Sequence, residues 1–271
     1  MERIVRGLAT SDGAGVALKR IIGQPALPDL DPFLLLDEFR SDEAADYIAG
    51  FPEHPHRGFE TVTYMLAGRM RHGDNQGNSG LLTAGSVQWM TAGSGILHSE
   101  MPEQENGLLW GFQLWVNLPA HRKMTAPRYQ DIAPDRIAES ERDGTRVRVL
   151  AGDWNGLSGP VKAPDTEAIY LDVVLAAGAS FETALPPDHT AFAYAYDGAA
   201  EFGRESRAVE RGELAVLSRG ETIRVHASNA ARFILVAGKP LREPVARHGP
   251  IVMNTQTELR QAFEDLRTGR F

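Results

Sequence analysis

Residues 54–78 read HPHRGFETVTYMLAGRMRHGDNQGN, and this stretch decides the fold. Thr61 to Leu66 is rich in β-branched and aromatic residues and runs to Gly68, which predicts a strand that ends at a turn. The polar, glycine-rich segment from Asp74 to Gly80 predicts a hairpin loop. The stretch therefore predicts short antiparallel strands rather than helices.

Similar strand patterns recur along the chain, at 86–90, 109–118, 146–150, 168–175, 191–196, 213–217 and 231–236. The two halves resemble each other, because strand patterns flank Gly68 and Gly85 in the first half and Gly198 and Gly212 in the second. This spacing indicates an internal duplication and predicts two β-barrels in tandem, with domains at 1–130 and 131–271. The polar stretch 120–145 is expected to be a linker with one short helix near Pro134.

The tail carries a helical pattern. Thr255 and Glu258 have the spacing of a capping box, in which each side chain binds the other's free amide at a helix start. Leu259, Phe263 and Leu266 form one apolar stripe, and Gly269 suits the end of the helix. The sequence predicts a C-terminal helix that packs on a barrel.

The bulk composition excludes several kinds of protein and site. The net charge of -8 argues against direct nucleic-acid binding, which needs a basic surface. The chain has no cysteine, which rules out disulfides, zinc-thiolate sites and thiol nucleophiles. No segment has the apolar length of a signal peptide or a membrane span. A soluble, cytoplasmic protein that does not bind a membrane is expected.

Two pairs of residues have the spacing of metal ligands. Side chains alternate faces along a strand, so His54 and His56 share one face, and so do His98 and Glu100. If the two strands are neighbours, three imidazoles and one carboxylate converge, which is a donor set for a divalent transition metal. Octahedral coordination would leave two positions for water, dioxygen or substrate.

The remaining histidines stand alone in the sequence. Without a partner at ligand spacing, each is expected on the surface or in packing. They are His72, His121, His189, His226 and His248.

Three strings and the tail carry a family resemblance. The strings are residues 54–78, GSVQWMTAGSGILHSEMP at 85–102 and GFQLWVNLPA at 111–120, and the tail is GPIVMNTQTELRQAFEDLRTGRF at 249–271. Over nearly the whole chain they resemble the pirin family of the cupin superfamily. The resemblance implies an all-β bicupin: two tandem antiparallel β-barrels of jelly-roll type with a short C-terminal helix. It also implies a metal in the N-terminal barrel alone, so the C-terminal barrel is expected to be metal-free.

The resemblance also bears on the carboxylate ligand. Most cupins use a glutamate shortly after the His-x-His pair, where Glu60 stands, whereas the pirin pattern uses the carboxylate two residues past the third histidine. The implied ligands are therefore His54, His56, His98 and Glu100. Glu60 is expected to support the ligands from behind or to have a structural role. Gln113 is expected to orient Glu100 or a bound water, with core packing as the alternative. The resemblance favours Fe(2+), although the donor set also suits Cu, Ni, Mn, Co or Zn.

Three functions fit these residues. Resemblance to bacterial pirins implies a quercetin 2,3-dioxygenase-like oxidoreductase that opens a flavonol or similar enolic aromatic ring with O2, with Glu100 as the catalytic base. The alternative is a non-enzymatic, redox-sensing regulator that binds a transcription factor or a metabolic enzyme through a metal-dependent surface. A storage or structural cupin with a vestigial site is the third.

Overall fold

The fold consists almost entirely of antiparallel strands. A computed structural model describes residues 1–104, 106–220 and 222–271 of the chain. The predicted all-β architecture with one C-terminal helix is confirmed. None of the described helices combines the length and the apolar character that crossing a bilayer requires.

The elements are numbered in chain order. The strands in the first half are β1 (Arg3–Arg6), β2 (Leu8–Asp12), β3 (Val16–Ile22), β4 (Phe33–Ser41), β5 (Phe51–His56), β6 (Phe59–Ala67), β7 (Met70–Asp74), β8 (Ser79–Leu82), β9 (Val87–Thr91), β10 (Ile96–Pro102), β11 (Leu109–Asn117) and β12 (Arg128–Ile132). Those in the second half are β13 (Ala138–Arg142), β14 (Thr145–Ala151), β15 (Asp153–Trp154), β16 (Leu157–Ser158), β17 (Ile169–Leu175), β18 (Ser180–Ala184), β19 (Thr190–Asp197), β20 (Ala199–Phe202), β21 (Arg207–Glu210), β22 (Glu213–Val216), β23 (Thr222–His226), β24 (Ala231–Gly238), β25 (Ala246–His248) and β26 (Ile251–Met253). The helical segments are three 3-10 turns, Ala44–Asp46, Ala120–Arg122 and Pro134–Arg136, and helix α1, Gln256–Arg267.

The chain folds into two compact units. We call residues 8–24, 33–134 and 241–271 the N-half unit, and residues 1–7, 25–32 and 135–240 the C-half unit. A single cut after residue 130 does not produce these units. Residues 1–7 belong to the C-half unit, and residues 241–271 belong to the N-half unit. The first residues pair with the C-half unit, since β1 adds to β22, and the tail belongs to the N-half unit, since Arg57 bridges to Ile251. The domain boundaries 1–130 and 131–271 themselves stay a prediction.

The N-half unit is built on two large sheets, with the two-stranded sheet β25-β26 beside them. Seven strands pair in the order β12-β9-β6-β11-β4-β3-β2, and four pair in the order β5-β10-β7-β8. This arrangement is a jelly-roll sandwich rather than a closed barrel. The strand β12 lies inside the stretch that the sequence indicated as a linker, and so does β13 of the C-half unit. That detail of the prediction was wrong, because strand pairing outweighs the low β-propensity of polar residues.

The C-half unit repeats the plan. Its seven-stranded sheet has the order β1-β22-β19-β24-β17-β14-β13, and its four-stranded sheet has the order β18-β23-β20-β21. Its core is aliphatic and aromatic, with Leu171, Phe181, Phe202, Phe233 and Leu235 all buried.

The tail fastens onto the N-half unit. Helix α1 begins with the predicted capping box of Thr255 and Glu258. The buried Arg57, which follows His56, binds Asp265 of this helix at 2.8 Å and lies over the Phe271 ring. The tail therefore supports the chain segment next to the candidate ligands.

A buried lysine makes a second link to the tail. Lys123 is 1% exposed, and its Nζ donates to the carbonyl of Gly58 and to Asn117 Oδ1 at 2.7 Å each, and to the carbonyl of Val252 at 3.2 Å. Gly58 has φ +87°, and a Cβ there would overlap the Val252 carbonyl oxygen. Only glycine fits where these two segments meet.

Candidate metal centre

Three histidines meet on two neighbouring strands. Strand β5 pairs with β10 in an antiparallel register that sets His98 opposite His54 and Ile96 opposite His56. His54 and His56 point to the same side because they are two residues apart. One ring nitrogen from each of the three histidines lies within 4.8 Å of those of the other two.

On both rings of the first pair, Nδ1 faces a main-chain carbonyl oxygen. His54 Nδ1 lies 2.8 Å from the Pro52 carbonyl oxygen, and His56 Nδ1 lies 3.4 Å from that of Pro250. A carbonyl can only accept, so each Nδ1 carries the proton and each Nε2 keeps its lone pair. The two Nε2 atoms are 3.1 Å apart, which turns both lone pairs toward one point.

The third histidine shows why these residues fit a metal. His98 is 1% exposed, and neither of its ring nitrogens has a hydrogen-bond partner among the described residues. A buried polar atom without a partner is costly, and a metal ion would relieve that cost. Beyond this group, no second cluster of three or more ligand side chains occurs in residues 1–104, 106–220 and 222–271. The metal-free C-terminal barrel stays a prediction.

The protonation states also suit a metal. Burial, reinforced by repulsion from neighbouring rings, keeps His56 and His98 uncharged. The pKa of His98 falls to about 3, chiefly by burial and then by repulsion from His54, and the pKa of the fully buried His56 falls well below its usual value. Neutral imidazole is the form that binds metals.

Glu100 sits on the same strand but is held by other partners. It is 1% exposed; Thr63 Oγ1 donates to its Oε1 at 2.9 Å, and Gln113 Nε2 donates to its Oε2 at 2.7 Å. Trp115 Nε1 donates to Gln113 Oε1 at 3.3 Å, which fixes the orientation of that amide. The cluster of the three histidines does not include Glu100. Its role as the fourth ligand therefore stays a proposal.

Glu60 binds a residue of the neighbouring strand β9. It is buried on β6 and accepts a 2.6 Å hydrogen bond from Thr91 Oγ1 across the sheet. It does not belong to the histidine cluster either.

A row of polar residues crosses the seven-stranded sheet at the level of Glu100. Its members face one another in register on six adjacent strands. In sheet order they are Arg20, Asp37, Gln113, Thr63, Gln88 and Asp131. Hydrogen bonds join Arg20 to Asp37 at 2.7 and 3.0 Å, and Gln88 to Asp131 at 2.9 Å. Thr63 and the members beyond Gln113 were missed by sequence reasoning, because only the register brings them together.

His72 belongs to this polar level. The sequence predicts a surface or packing role for it. The side chain is buried, stacks on Tyr129, and lies opposite Glu100 in the β7–β10 register. Its Nε2 lies 3.0 Å from Asp131 Oδ2. Of the other lone histidines, His121, His226 and His248 are exposed.

A cavity of about 530 Å³ opens beside the histidines. His54, His56 and Gln113 reach its wall, and the Trp115 and Phe51 rings supply apolar surface. The Trp115 ring also packs against the His56 ring, with 5.2 Å between the ring centroids, and against the Phe59 ring, with 4.4 Å. The volume falls in the range of pockets for small organic ligands.

Comparisons with known proteins agree with this geometry. Residues 15–116 match the family model described as Pirin, and residues 170–271 match the one described as the Pirin C-terminal cupin domain. The chain belongs to the pirin family. A pirin-like protein of Caulobacter vibrioides is 51% identical over 99% of this chain and 98% of its own length.

Other members of the pirin family carry an enzymatic name. A Pseudomonas aeruginosa protein named "putative quercetin 2,3-dioxygenase" is 48% identical over 97% of this chain and 94% of its own length. Human pirin is 43% identical over 96% of this chain and 89% of its own length. The crystal structure of a quercetin 2,3-dioxygenase from Acinetobacter baumannii superposes with a TM-score of 0.91 at 33% identity, covering 99% of this chain and 96% of that one.

Proposed function

We propose that this pirin is a metal-dependent dioxygenase that opens the ring of quercetin or of a similar enolic aromatic with O2. One observation carries the proposal: the three imidazoles of His54, His56 and His98 converge, the first two border a cavity with aromatic walls, and the buried carboxylate of Glu100 follows on the strand of the third. Relatives at 48% and 42% identity carry the name "putative quercetin 2,3-dioxygenase", which supports the choice of substrate class.

The histidines and the carboxylate have separate tasks in this proposal. The Nε2 atoms of His54 and His56 and the buried ring of His98 would hold the metal, with Glu100 as fourth ligand. We propose Fe(2+) as the native ion, with Mn, Co, Ni, Cu and Zn compatible with the same donors. When bound, the divalent ion supplies Lewis acidity, which lowers the pKa of an enolic hydroxyl.

In this proposal, Glu100 takes the proton of that hydroxyl. Its Oε2 faces Gln113 Nε2, an amide that can only donate, so this oxygen must remain an acceptor. Its Oε1 faces Thr63 Oγ1, a hydroxyl that can rotate from donor to acceptor. We therefore place the transferred proton on Oε1, where the threonine hydroxyl can accept it.

The cavity would orient the substrate and exclude water. The flat rings of Trp115 and Phe51 offer apolar surface to an aromatic substrate. Gln113 lines the cavity and also donates a hydrogen bond to Glu100. A substrate in the cavity that contacts Gln113 would therefore lie close to the proposed base.

The test combines metal loading with turnover. The protein is loaded with Fe(2+) without oxygen, and dioxygen uptake and carbon monoxide release are then followed with quercetin. Glu100→Gln should lower kcat by about 100-fold or more, the usual loss of a general base. Glu103→Gln changes an exposed carboxylate of the same unit that pairs with Arg71, and it should keep wild-type turnover.

The outcomes separate the candidate functions. Full activity of Glu100→Gln with retained metal would refute the base assignment. Metal binding with no flavonol consumption would instead favour the regulator, whose partner affinity should then change with the metal's oxidation state. A purified protein without metal above trace level would point to a vestigial site.

A further inference from the structure

The C-half unit contains a cavity that the metal centre does not explain. Its volume is about 690 Å³. Three connections border it: the loop from β18 to β19, the turn from β20 to β21, and residues 217–220 after β22. It therefore opens at one end of that unit's sandwich.

The floor of this cavity is apolar. Leu185, Phe202 and Ile223 line it, and all three are buried. His189 is on its wall at 8% exposure, and its Nδ1 has no hydrogen-bond partner in the described part of the chain. The sequence offered no role for this histidine beyond surface or packing. An apolar floor beside an unsatisfied buried imidazole is suited to a ligand with both an apolar body and a polar group.

The rim is strongly cationic, although the chain as a whole carries a net charge of -8. Arg204, Arg207, Arg219 and Arg224 all line the opening, against Glu205 as the acidic residue among the described lining. Arg224 is paired with Glu182 on the adjacent strand at 2.7 Å. Arg204 and Arg219 have no carboxylate within 4.0 Å among the described residues.

Like charges gathered around one opening repel each other and attract an anion. Guanidinium groups match the planar fork of a carboxylate with two parallel hydrogen bonds. Among anions, the apolar floor favours one that carries an aromatic ring. Such a ring would bury the floor, whereas an inorganic anion would leave it exposed to water. The volume accommodates one or two fused rings with their substituents.

We propose that this cavity binds a small aromatic carboxylate, with the carboxylate at the arginine rim and the ring on Leu185, Phe202 and Ile223. The site does not depend on the metal centre or on its proposed chemistry. It gives the C-half unit a ligand-binding role of its own.

Titration calorimetry on the 271-residue chain without metal tests the proposal, with 2-naphthoate as the probe. The neutral isostere 2-naphthamide and inorganic phosphate should each bind about tenfold more weakly or worse, because each lacks one half of the recognition. The double variant Arg204→Ala/Arg219→Ala should weaken 2-naphthoate by about tenfold. Arg142→Ala, at an arginine 86% exposed in the same unit, is the matched control and should leave affinity unchanged.

Three results would overturn the assignment. The first is unchanged 2-naphthoate affinity in the double variant with an intact thermal unfolding curve. The second is phosphate binding as tightly as 2-naphthoate, which would mean that the floor contributes nothing. The third is loss of 2-naphthoate binding in a His54→Ala variant but not in the double variant, which would place the ligand at the metal centre. Because this assay uses no metal and no turnover, its failure would leave the proposed dioxygenase activity unaffected.

Discussion

Replacing His98 with glutamine should change how the stability of the metal-free protein depends on pH. Burial lowers the pKa of His98 to about 3 in the folded state, against 6.5 for an unperturbed histidine. The unfolded chain therefore takes up a proton below pH 6.5 that the folded chain refuses. The stabilisation present above pH 6.5 is then lost as the pH falls toward 3.

The magnitude follows from these two pKa values. Integrating the difference in proton uptake from about pH 7.5 to about pH 5.0 gives a loss of about 2 kcal/mol for His98 alone. Glutamine does not titrate, so this contribution should be missing from His98→Gln. Asp37 works in the opposite direction, since burial raises its pKa to about 6 despite its bonds to Arg20. Asp37 is present in both proteins, so its effect cancels when they are compared.

Urea unfolding measures the effect directly. Both proteins are stripped of metal with a chelator, and the free energy of unfolding is determined at the two pH values. Wild type should lose about 2 kcal/mol more than His98→Gln between them. Equal losses in the two proteins would refute the reasoning that His98 is held buried and neutral.

Two further predictions concern the contact between Gly58, close to the candidate ligands, and Val252 of the tail. Lys123→Met should lower the free energy of unfolding, measured with denaturant, by about 3–5 kcal/mol, because three buried acceptors lose their donor. Lys239 is exposed and serves as the control. Lys239→Met should change the free energy of unfolding by less than about 0.5 kcal/mol. Gly58→Ala should lower the melting temperature far more than Gly77→Ala, since both glycines have positive φ but only at Gly58 would a Cβ overlap a main-chain carbonyl. Equal melting temperatures would show that backbone strain, not the close approach, governs both sites.

Local pattern determined much of this protein. The strand at Phe59–Ala67 follows from β-branched and aromatic residues, and the capping box follows from Thr255 and Glu258. The pairing of His54 with His56 on one face follows from strand alternation, which acts over two residues. Such features are predictable because neighbours in sequence decide them.

The tertiary structure decided which distant residues meet. Thr63 and Gln113 both bind Glu100 because the pairing of β6 with β11 sets them opposite each other, and Glu100 reaches them from β10 of the other sheet. The carbonyl that orients His56 comes from Pro250, almost two hundred positions further along the chain. The arginine-rimmed cavity likewise depends on three connections that are separate in sequence.

The sequence by itself therefore determined that two histidine-bearing strands could form a metal site. Periodicity records which side of a strand a residue faces, and it does so within a few positions. Strand order, register and the exchange of the chain's two ends between the units depend on the packing of the whole chain. That packing decided how Glu100 is held, what borders the histidines, and where the second cavity lies.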